Sequence, residues 1–538
     1  MAKIADIPAV DERDVRQTRS KREIILVMVG LMITMLLAML DNTIVGPALP
    51  TIVGDLGGLA HLSWVLTAYT LATAVSTLVW GKLGDLFGRK TAFLSAIALF
   101  LTGSALTGMA QSMGELIGFR AIQGLGAGGL IVGVMAILGE LVSPRERGKY
   151  QGYMMAIMPL AMLGGPLLGG WITDNASWRW AFYVNLPLGI IALITVWLTL
   201  HSPKRTVGKV FIDWWGALTL AVWTSSLVLV CSWGGNQYAW DSWQILGLGL
   251  VAVAGFIAFI TIETRVPEPL MPLHIFKNLN FSVSGGLSMI VGAAMMGTAA
   301  YLPQFQQLVQ GDSATNSGLL LLPMMIPMML TSVFIGQVVS RTGRIRIFPI
   351  LGGIALTIGM LLMSQLQVDA TTLNVSLFMI VIGLGVGGLM QPSSLIAQNS
   401  VSLRDMGAGM GANTFLRTIG MSLGTAIFGT IYTGRLTDHL TSSLGSAGAK
   451  FTSGGAQLPP ALMDKLPDAV QQAIRAAVTS GIDGIFLAGS IAAAAGIVVA
   501  LLVRDVELKG PDPAPRQEPA DRDDDVDVRE AEITAIQA

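Results

Sequence analysis

Charge is what this sequence has least of. Only 12% of its 538 residues are Asp, Glu, Lys or Arg, against about 25% in an ordinary soluble domain. That is too little to cover a water-facing surface of this size, so the chain needs lipid as its solvent. Cysteine occurs once, at Cys231 inside an apolar run, which excludes a disulfide framework and a cysteine-rich metal site. The four histidines, His61, His201, His274 and His439, are scattered and show no metal-ligand spacing. A phosphate loop is missing too. The nearest string, Gly84-Asp-Leu-Phe-Gly-Arg-Lys-Thr91, does not meet G-x-x-x-x-G-K-[ST]. With no ATPase motif and no nucleophile–base set, an ATP-driven pump and a membrane enzyme drop out. Nothing calls for a cofactor, a metal or a nucleic-acid partner. Work done by this chain must draw on an ion gradient or a substrate gradient.

What is there is apolar length. Hydrophobic residues make up 52% of the chain and the mean hydropathy is +0.64. Runs of about 20 apolar residues span a bilayer core of about 30 Å. About fourteen are expected, near 24–47, 62–83, 91–110, 115–141, 150–173, 180–200, 214–233, 243–262, 282–303, 316–339, 347–366, 374–399, 408–432 and 480–503. The first follows the basic stretch Arg16 to Arg22 but is too long for a signal peptide, so it reads as an uncleaved first helix. Loops rich in Lys and Arg alternate with poor ones. Lys82 to Lys90, Ser143 to Lys149, Pro203 to Arg205, Glu263 to Lys277, Arg341 to Arg346 and Ser402 to Arg404 form the basic set. Basic loops stay inside, which places both termini in the cytoplasm and the chain in the plasma membrane, a bacterial inner membrane, as a multi-pass protein. The stretch 434–480 is expected outside as a loop, with 464–477 able to form a short amphipathic helix. The acidic, Pro-rich tail 504–538 is expected to be disordered.

The chain also repeats itself. Gly81-Lys-Leu-Gly-Asp85-Leu-Phe-Gly88-Arg89-Lys90 follows span 2, and Gly336-Gln-Val-Val-Ser340-Arg-Thr-Gly343-Arg344 follows span 10, with Gly, Gly and Arg recurring 255 residues on and Ser in place of Asp85. Ser143, Arg145, Glu146, Gly148, Gly152 and Gly165 meet Ser402, Arg404, Asp405, Gly407, Gly411 and Gly424, 259 residues on. Two matches at nearly one offset imply two homologous six-helix halves, 24–200 and 281–503, joined by 201–280 with two inserted spans and preceded by a cytoplasmic segment, 1–23. Parallel repeats around a central site are an architecture of secondary transporters.

These residues resemble the major facilitator superfamily, in particular its fourteen-span drug:proton antiporters. Leu40-Asp41-Asn-Thr-Ile-Val-Gly46-Pro47-Ala-Leu-Pro50 resembles the first-span motif, with Gly46-Pro47 where the family more often has Asn-Val. Gly81 to Lys90 resembles the cytoplasmic motif between spans 2 and 3. Arg120-Ala-Ile-Gln-Gly124-Leu-Gly126 resembles the span-4 motif. Gly152, Gly165, Pro166, Gly169 and Gly170 resemble the span-5 antiporter motif, with Ala161 at one family glycine. Ser177-Trp-Arg-Trp-Ala-Phe-Tyr-Val-Asn-Leu-Pro-Leu-Gly189 resembles the entry to span 6. The resemblance covers the chain except its tail, and it implies an all-α major facilitator fold.

Asp41 is the one carboxylate that the sequence places well inside a span, and buried ionisable groups are functional candidates. Counting about 1.5 Å per residue puts it roughly 24 Å from the inner boundary and Arg120 roughly 6 Å from the outer one. Those depths coincide in a core of about 30 Å, so the two can face each other if spans 1 and 4 adjoin, as the resemblance implies. Asp41 is then the expected proton carrier. The alternatives are a helix cap near Pro50 or a permanent pair with Arg120. The resemblance gives Gly81, Asp85, Gly88, Arg89 and Lys90 the role of a cytoplasmic gate, in which Asp85 engages cations or a helix N-terminus in one conformation only. Gly152, Gly165, Pro166 and Gly169 suit a flexible helix interface between halves, or plain tight packing. Arg417 lies roughly 15 Å into span 13 and must face protein or a wet cavity. It either binds an anionic substrate group, responds to the proton cycle, or makes a structural bond to backbone carbonyls or to glutamines such as Gln391 or Gln398.

The expected function is proton-coupled export of amphipathic drugs by alternating access, with the lipid bilayer, protons and a small amphipathic molecule as partners and a monomer as one reading of its assembly. An exporter of one specific metabolite or lipid, a sodium-coupled symporter and a non-transporting membrane sensor or scaffold are the alternatives. The last gives no reason for two repeated halves.

Overall fold

The computed structural model describes residues 21–57, 61–200, 211–235, 237–312, 319–445, 463 and 466–504. Residues 1–20 of the segment 1–23 expected in the cytoplasm, and residues 505–538 of the expected tail, lie outside the described residues. The described residues form sixteen α-helices. In order they are α1 (Lys21–Leu56), α2 (Leu62–Phe87), α3 (Arg89–Met109), α4 (Met113–Leu141), α5 (Arg147–Met155), α6 (Ile157–Asn175), α7 (Trp180–Tyr183), α8 (Asn185–Thr199), α9 (Trp214–Trp233), α10 (Trp243–Glu263), α11 (Leu279–Leu308), α12 (Leu322–Thr342), α13 (Ile347–Met363), α14 (Thr372–Ser400), α15 (Met406–Leu444) and α16 (Asp468–Leu501). With α5–α6 and α7–α8 each read as one segment, twelve are long and apolar enough to cross a membrane. The other two expected runs are also helical. The α13 helix is shorter, with 17 residues. The α15 helix has 39 and carries Asn413, Arg417, Arg435 and Asp438 among its glycines and threonines.

Two boundaries differ from expectation. The span expected to end at 432 continues as helix to Leu444. The stretch 464–477, expected as a separate amphipathic helix, instead opens the last helix from Asp468. Of the expected loop 434–480, residues 434–444 and 468–480 are therefore helical. A helix does not have to stop where its apolar side chains stop, because above the membrane its backbone bonds persist with polar side chains facing water.

Helix packing repeats. In the first half α2 packs on α4, α3 on α4, α1 on α6, α1 on α8, α3 on α8 and α1 on α4. In the second, α12 packs on α14, α13 on α14, α11 on α15, α11 on α16, α13 on α16 and α11 on α14. The halves meet through α2 against α15 and α12 against α5, which are exchanged positions in the repeat. At these crossings glycines touch backbone. A Cβ on Gly81 would lie 2.4 Å from the carbonyl oxygen of Gly407, and one on Gly336 would lie 2.1 Å from that of Gly148. The four glycines are repeat partners, so the two sequence matches meet each other in space. Packing this close admits no side chain.

The repeated glycines Gly88 and Gly343 both end a helix with positive φ, at +92° and +73°. Only glycine takes these conformations without strain. We expect Gly88→Ala to cost about 1–3 kcal/mol, read as a lower melting temperature in detergent. Gly170→Ala, where an added Cβ meets nothing within 4 Å, should leave it unchanged.

The inserted helices form a pair, α9 on α10. The α9 helix rests on α2 and α15, covering the seam where the halves meet. Its Trp223 is buried between Phe256 of α10, with ring centroids 5.2 Å apart, and Phe415 of α15 at 5.5 Å. The outer face of α10 is apolar and bare, with Trp243 79% and Leu250 72% exposed, a surface that only lipid can cover.

Candidate functional site

The first site is a polar cluster inside the first half. Asp41 lies mid-helix, since α1 runs on through Pro47 and Pro50 to Leu56, and it therefore caps no helix end. Its side chain is wholly buried, as are those of Arg120, Gln123 and Asn185. Arg120 Nη1 donates to Asp41 Oδ2 at 2.7 Å, and Gln123 Nε2 and Asn185 Nδ2 donate to Oδ1 at 2.8 and 2.7 Å. Arg120 also donates to Gln123 Oε1 at 2.9 Å. Its guanidinium lies 4.0 Å above the Tyr69 ring and 5.7 Å from that of Phe182, a cation–π arrangement that covers part of the charge. Ser104 accepts from Asn185 at 3.0 Å and donates to the Phe182 carbonyl at 2.8 Å, fixing the start of α8. The structure thus brings Asp41 and Arg120 together, with two partners that the sequence argument did not name. The signals were present. Gln123 sits one turn from Arg120, and Asn185 lies in the span-6 entry motif just before Pro187.

The second site joins the halves at the face bearing the basic loops. Asp85 Oδ1 accepts from the backbone N–H of Gly407 at 3.0 Å and Oδ2 from that of Ala408 at 2.8 Å. These are free N–H groups of the first turn of α15, so Asp85 caps a helix of the opposite half and meets its positive dipole end. Arg89 pairs with the same carboxylate, donates to the Leu403 carbonyl at 3.4 Å and lies 3.8 Å from Glu140. Lys90 does not take part. It donates to the Trp197 carbonyl at 2.6 Å within its own half. Where Ser340 replaces the aspartate in the second half, the bond runs the other way. Arg145 donates to the carbonyls of Ser340, at 2.8 Å, and Arg341 at the end of α12, where a cation suits the helix C-terminus. Arg147 donates to the Gln398 carbonyl at 3.1 Å and Asn399 Oδ1 at 2.9 Å. Gln391 and Gln398 donate back to Gly148 and Met135 at 3.3 and 3.0 Å. Sequence reading took Arg147 only as part of a basic loop, and Arg145 as that and as the repeat partner of Arg404.

The span-5 glycines divide. Gly152 lies against Ser332 and Val333 of α12, between the halves. Gly165 and Gly169 instead press on Thr43 and Ile44 of α1, inside the first half. Of these glycines Gly152 thus meets the other half, while Gly165 and Gly169 pack tightly within the first; the helix breaks between α5 and α6 near Ala156, and α12 touches both segments. Pro166 lies within α6. Arg417 is half-buried on α15 and has no hydrogen-bond or ion-pair partner among the described residues. Asp41 is not the only carboxylate within an apolar helix. Asp483 on α16 is half-buried, roughly 27 Å from Leu501 along the helix, with one oxygen unpartnered among the described residues. Among those residues no group of three or more His, Cys, Asp or Glu forms a metal site.

Comparison with known proteins places this arrangement. The family model described as Major Facilitator Superfamily matches residues 31–425. The multidrug transporter protein MdtP of Bacillus subtilis is 38% identical over 524 residues, covering 93% of this chain and 96% of that protein. Multidrug resistance protein 3 of the same organism is 37% identical over 495 residues, covering 90% and 96%. Among solved structures, the human organic anion transporter MFSD10 shares the fold with a TM-score of 0.58 at 15% identity, covering 88% of this chain and all of that one. The chain is a transporter rather than an enzyme, a multi-pass protein of the plasma membrane, and it belongs to the Major Facilitator Superfamily.

Proposed function

We propose that this protein exports amphipathic, drug-like compounds in exchange for protons, by alternating access between two six-helix halves, 24–200 and 281–503. In this reading fourteen helices cross the membrane and the basic loops face the cytoplasm, with both termini. The observation that carries the proton step is the Asp41 cluster. Every partner of that carboxylate is a donor, the set an ionised carboxylate takes. Protonation removes the charge that holds Arg120 and weakens the bonds from both amides, which ties it to motion of α1 against α4 and α8. Arg120 is the counter-charge, and Gln123 and Asn185 hold the geometry. The drug-like substrate class rests on the relatives named as multidrug transporters. Arg417 is the cation left to meet a polar group of the substrate.

The Asp85 cap, with Gly81, Gly88 and Arg89, is the gate that closes the cytoplasmic face. Arg145, Arg147 and Gly152 hold the second crossing. We expect Asp85→Asn to weaken this closure, because a neutral amide carries only one oxygen for two N–H groups and loses the dipole and Arg89 attractions, together about 1–3 kcal/mol. Alkylation of single cysteines placed on the facing ends of α2 and α15 should then speed up by roughly tenfold. An unchanged rate would remove Asp85 from the gate. The export reading itself is tested in proteoliposomes with an imposed pH gradient and ethidium outside. Accumulation driven by the gradient supports it, and absence of any ethidium movement overturns the drug-like substrate class.

A further inference from the structure

The loop after the inserted pair does more than return the chain to the second half. Glu263, buried at the end of α10, accepts from the backbone N–H of Leu270 at 3.2 Å and Met271 at 3.1 Å. That folds 264–272 into a fixed turn, which Leu270, Met271 and Ile275 anchor by burial. The turn is bound to the second half at several points. Asn278 donates to the Ser400 carbonyl at 3.0 Å, His274 lies 3.3 Å from Asp405, and Glu268 Oε1 accepts from Arg404 at 3.2 Å. The other oxygen of Glu268 reaches across the seam. Glu268 Oε2 accepts from Lys82 Nζ of α2 at 2.5 Å. Lys82 stands inside the motif Gly81 to Lys90, three residues before Asp85, and its side chain is only 8% exposed.

We infer that Glu268, held by the loop of the inserted helix pair, is a second charge lock on the cytoplasmic face, joining Lys82 of one half to Arg404 of the other and favouring the state in which that face is closed. The inference rests on alternating access as proposed above. It assigns the inserted pair a mechanical part. The α9 helix lies over the α2–α15 seam, and the loop after α10 bolts the cytoplasmic end of that same seam. Among the described residues the crossing of α5 with α12 shows no such strap. There Arg145 holds the carbonyls of Ser340 and Arg341 directly. The lock is conditional for a physical reason. Lys82 is almost buried in the closed state, so separating the halves exchanges an ion pair for solvation of both charges, whereas removing only Glu268 leaves a buried ammonium without its counter-charge.

That asymmetry provides the test. In full-length protein with Cys231→Ser, spin labels at Thr91→Cys and Arg344→Cys, both exposed on opposite halves at this face, report cytoplasmic separation by pulsed dipolar spectroscopy in proteoliposomes. Glu268→Gln should move the closed-to-open ratio toward open by roughly fivefold or more. Adding Lys82→Met, which removes the stranded charge, should recover part of that shift, an effect a merely misfolded loop would not show. An unchanged distribution in Glu268→Gln, or a double variant more open than the single, would overturn the lock. If Glu268→Gln does not fold, the charge exchange Lys82→Glu, Glu268→Lys and Arg404→Glu, which reverses both arms, stands in for it: a wild-type distribution supports the lock, and an open one contradicts it. The distances report closure whether or not ethidium is carried, so failure of the lock and failure of the export reading are separate results.

Discussion

Replacing Asp41 with Asn is expected to stop proteoliposomes from concentrating a cationic dye along an imposed pH gradient, down to the level of vesicles without protein, while dye-for-dye exchange across the membrane should continue. Asn has nearly the shape of the carboxyl but only one acceptor oxygen, and it cannot take up or release a proton. Of the three donors at this site, Arg120, Gln123 and Asn185, at least one loses its partner. The side chain is held in a neutral form, as if permanently protonated. Steps that require the loaded carrier to reorient survive, and the step that couples reorientation to proton release does not. Dye accumulation that persists in the variant would place the proton site elsewhere.

The second large effect concerns stability. Arg120→Met should destabilise the protein by about 3–5 kcal/mol, because it strands a charged carboxylate in a site with no access to water. Asp41 and Arg120 are both 0% exposed, so no solvent replaces the lost guanidinium. Asp41→Asn combined with Arg120→Met removes both charges and should recover most of the loss. Unfolding followed in detergent by native tryptophan fluorescence separates these cases. A single variant as stable as the wild type would mean that Asp41 is neutral in the folded protein, and the proton step would need another order.

Much of this was legible in the sequence. The helices show because lipid demands runs of apolar residues long enough to satisfy their own backbones. The repeat showed its contacts indirectly: Gly81 and Gly148 each had a partner one repeat away, and the structure crosses those pairs, Gly81 on Gly407 and Gly148 on Gly336. Asp41 and Arg120 could be matched by depth, given the adjacency of spans 1 and 4 that the resemblance implies. Other features had no such handle. Gln123 and Asn185 stand inside the span-4 and span-6 motifs, but those motifs do not say that the two share a carboxylate. Glu268 meets a lysine 186 residues away, a pairing that only the packing of α9 on α2 and α15 creates. Arg145 and Arg147 satisfy the topology rule for basic loops, which concealed their second use as clasps on α12 and α14. The extensions of α15 and α16 beyond the apolar runs were missed because hydropathy reports where lipid ends, and a helix can continue past that point.

The central claim is exchange of substrate for protons through Asp41, and one recording tests it most directly. Proteoliposomes at equal pH on both sides, with a lumenal pH indicator, receive an inward gradient of ethidium. Outward proton movement that begins with ethidium entry and is absent in Asp41→Asn is the predicted result. Ethidium entry by the wild type with no change in lumenal pH would contradict it.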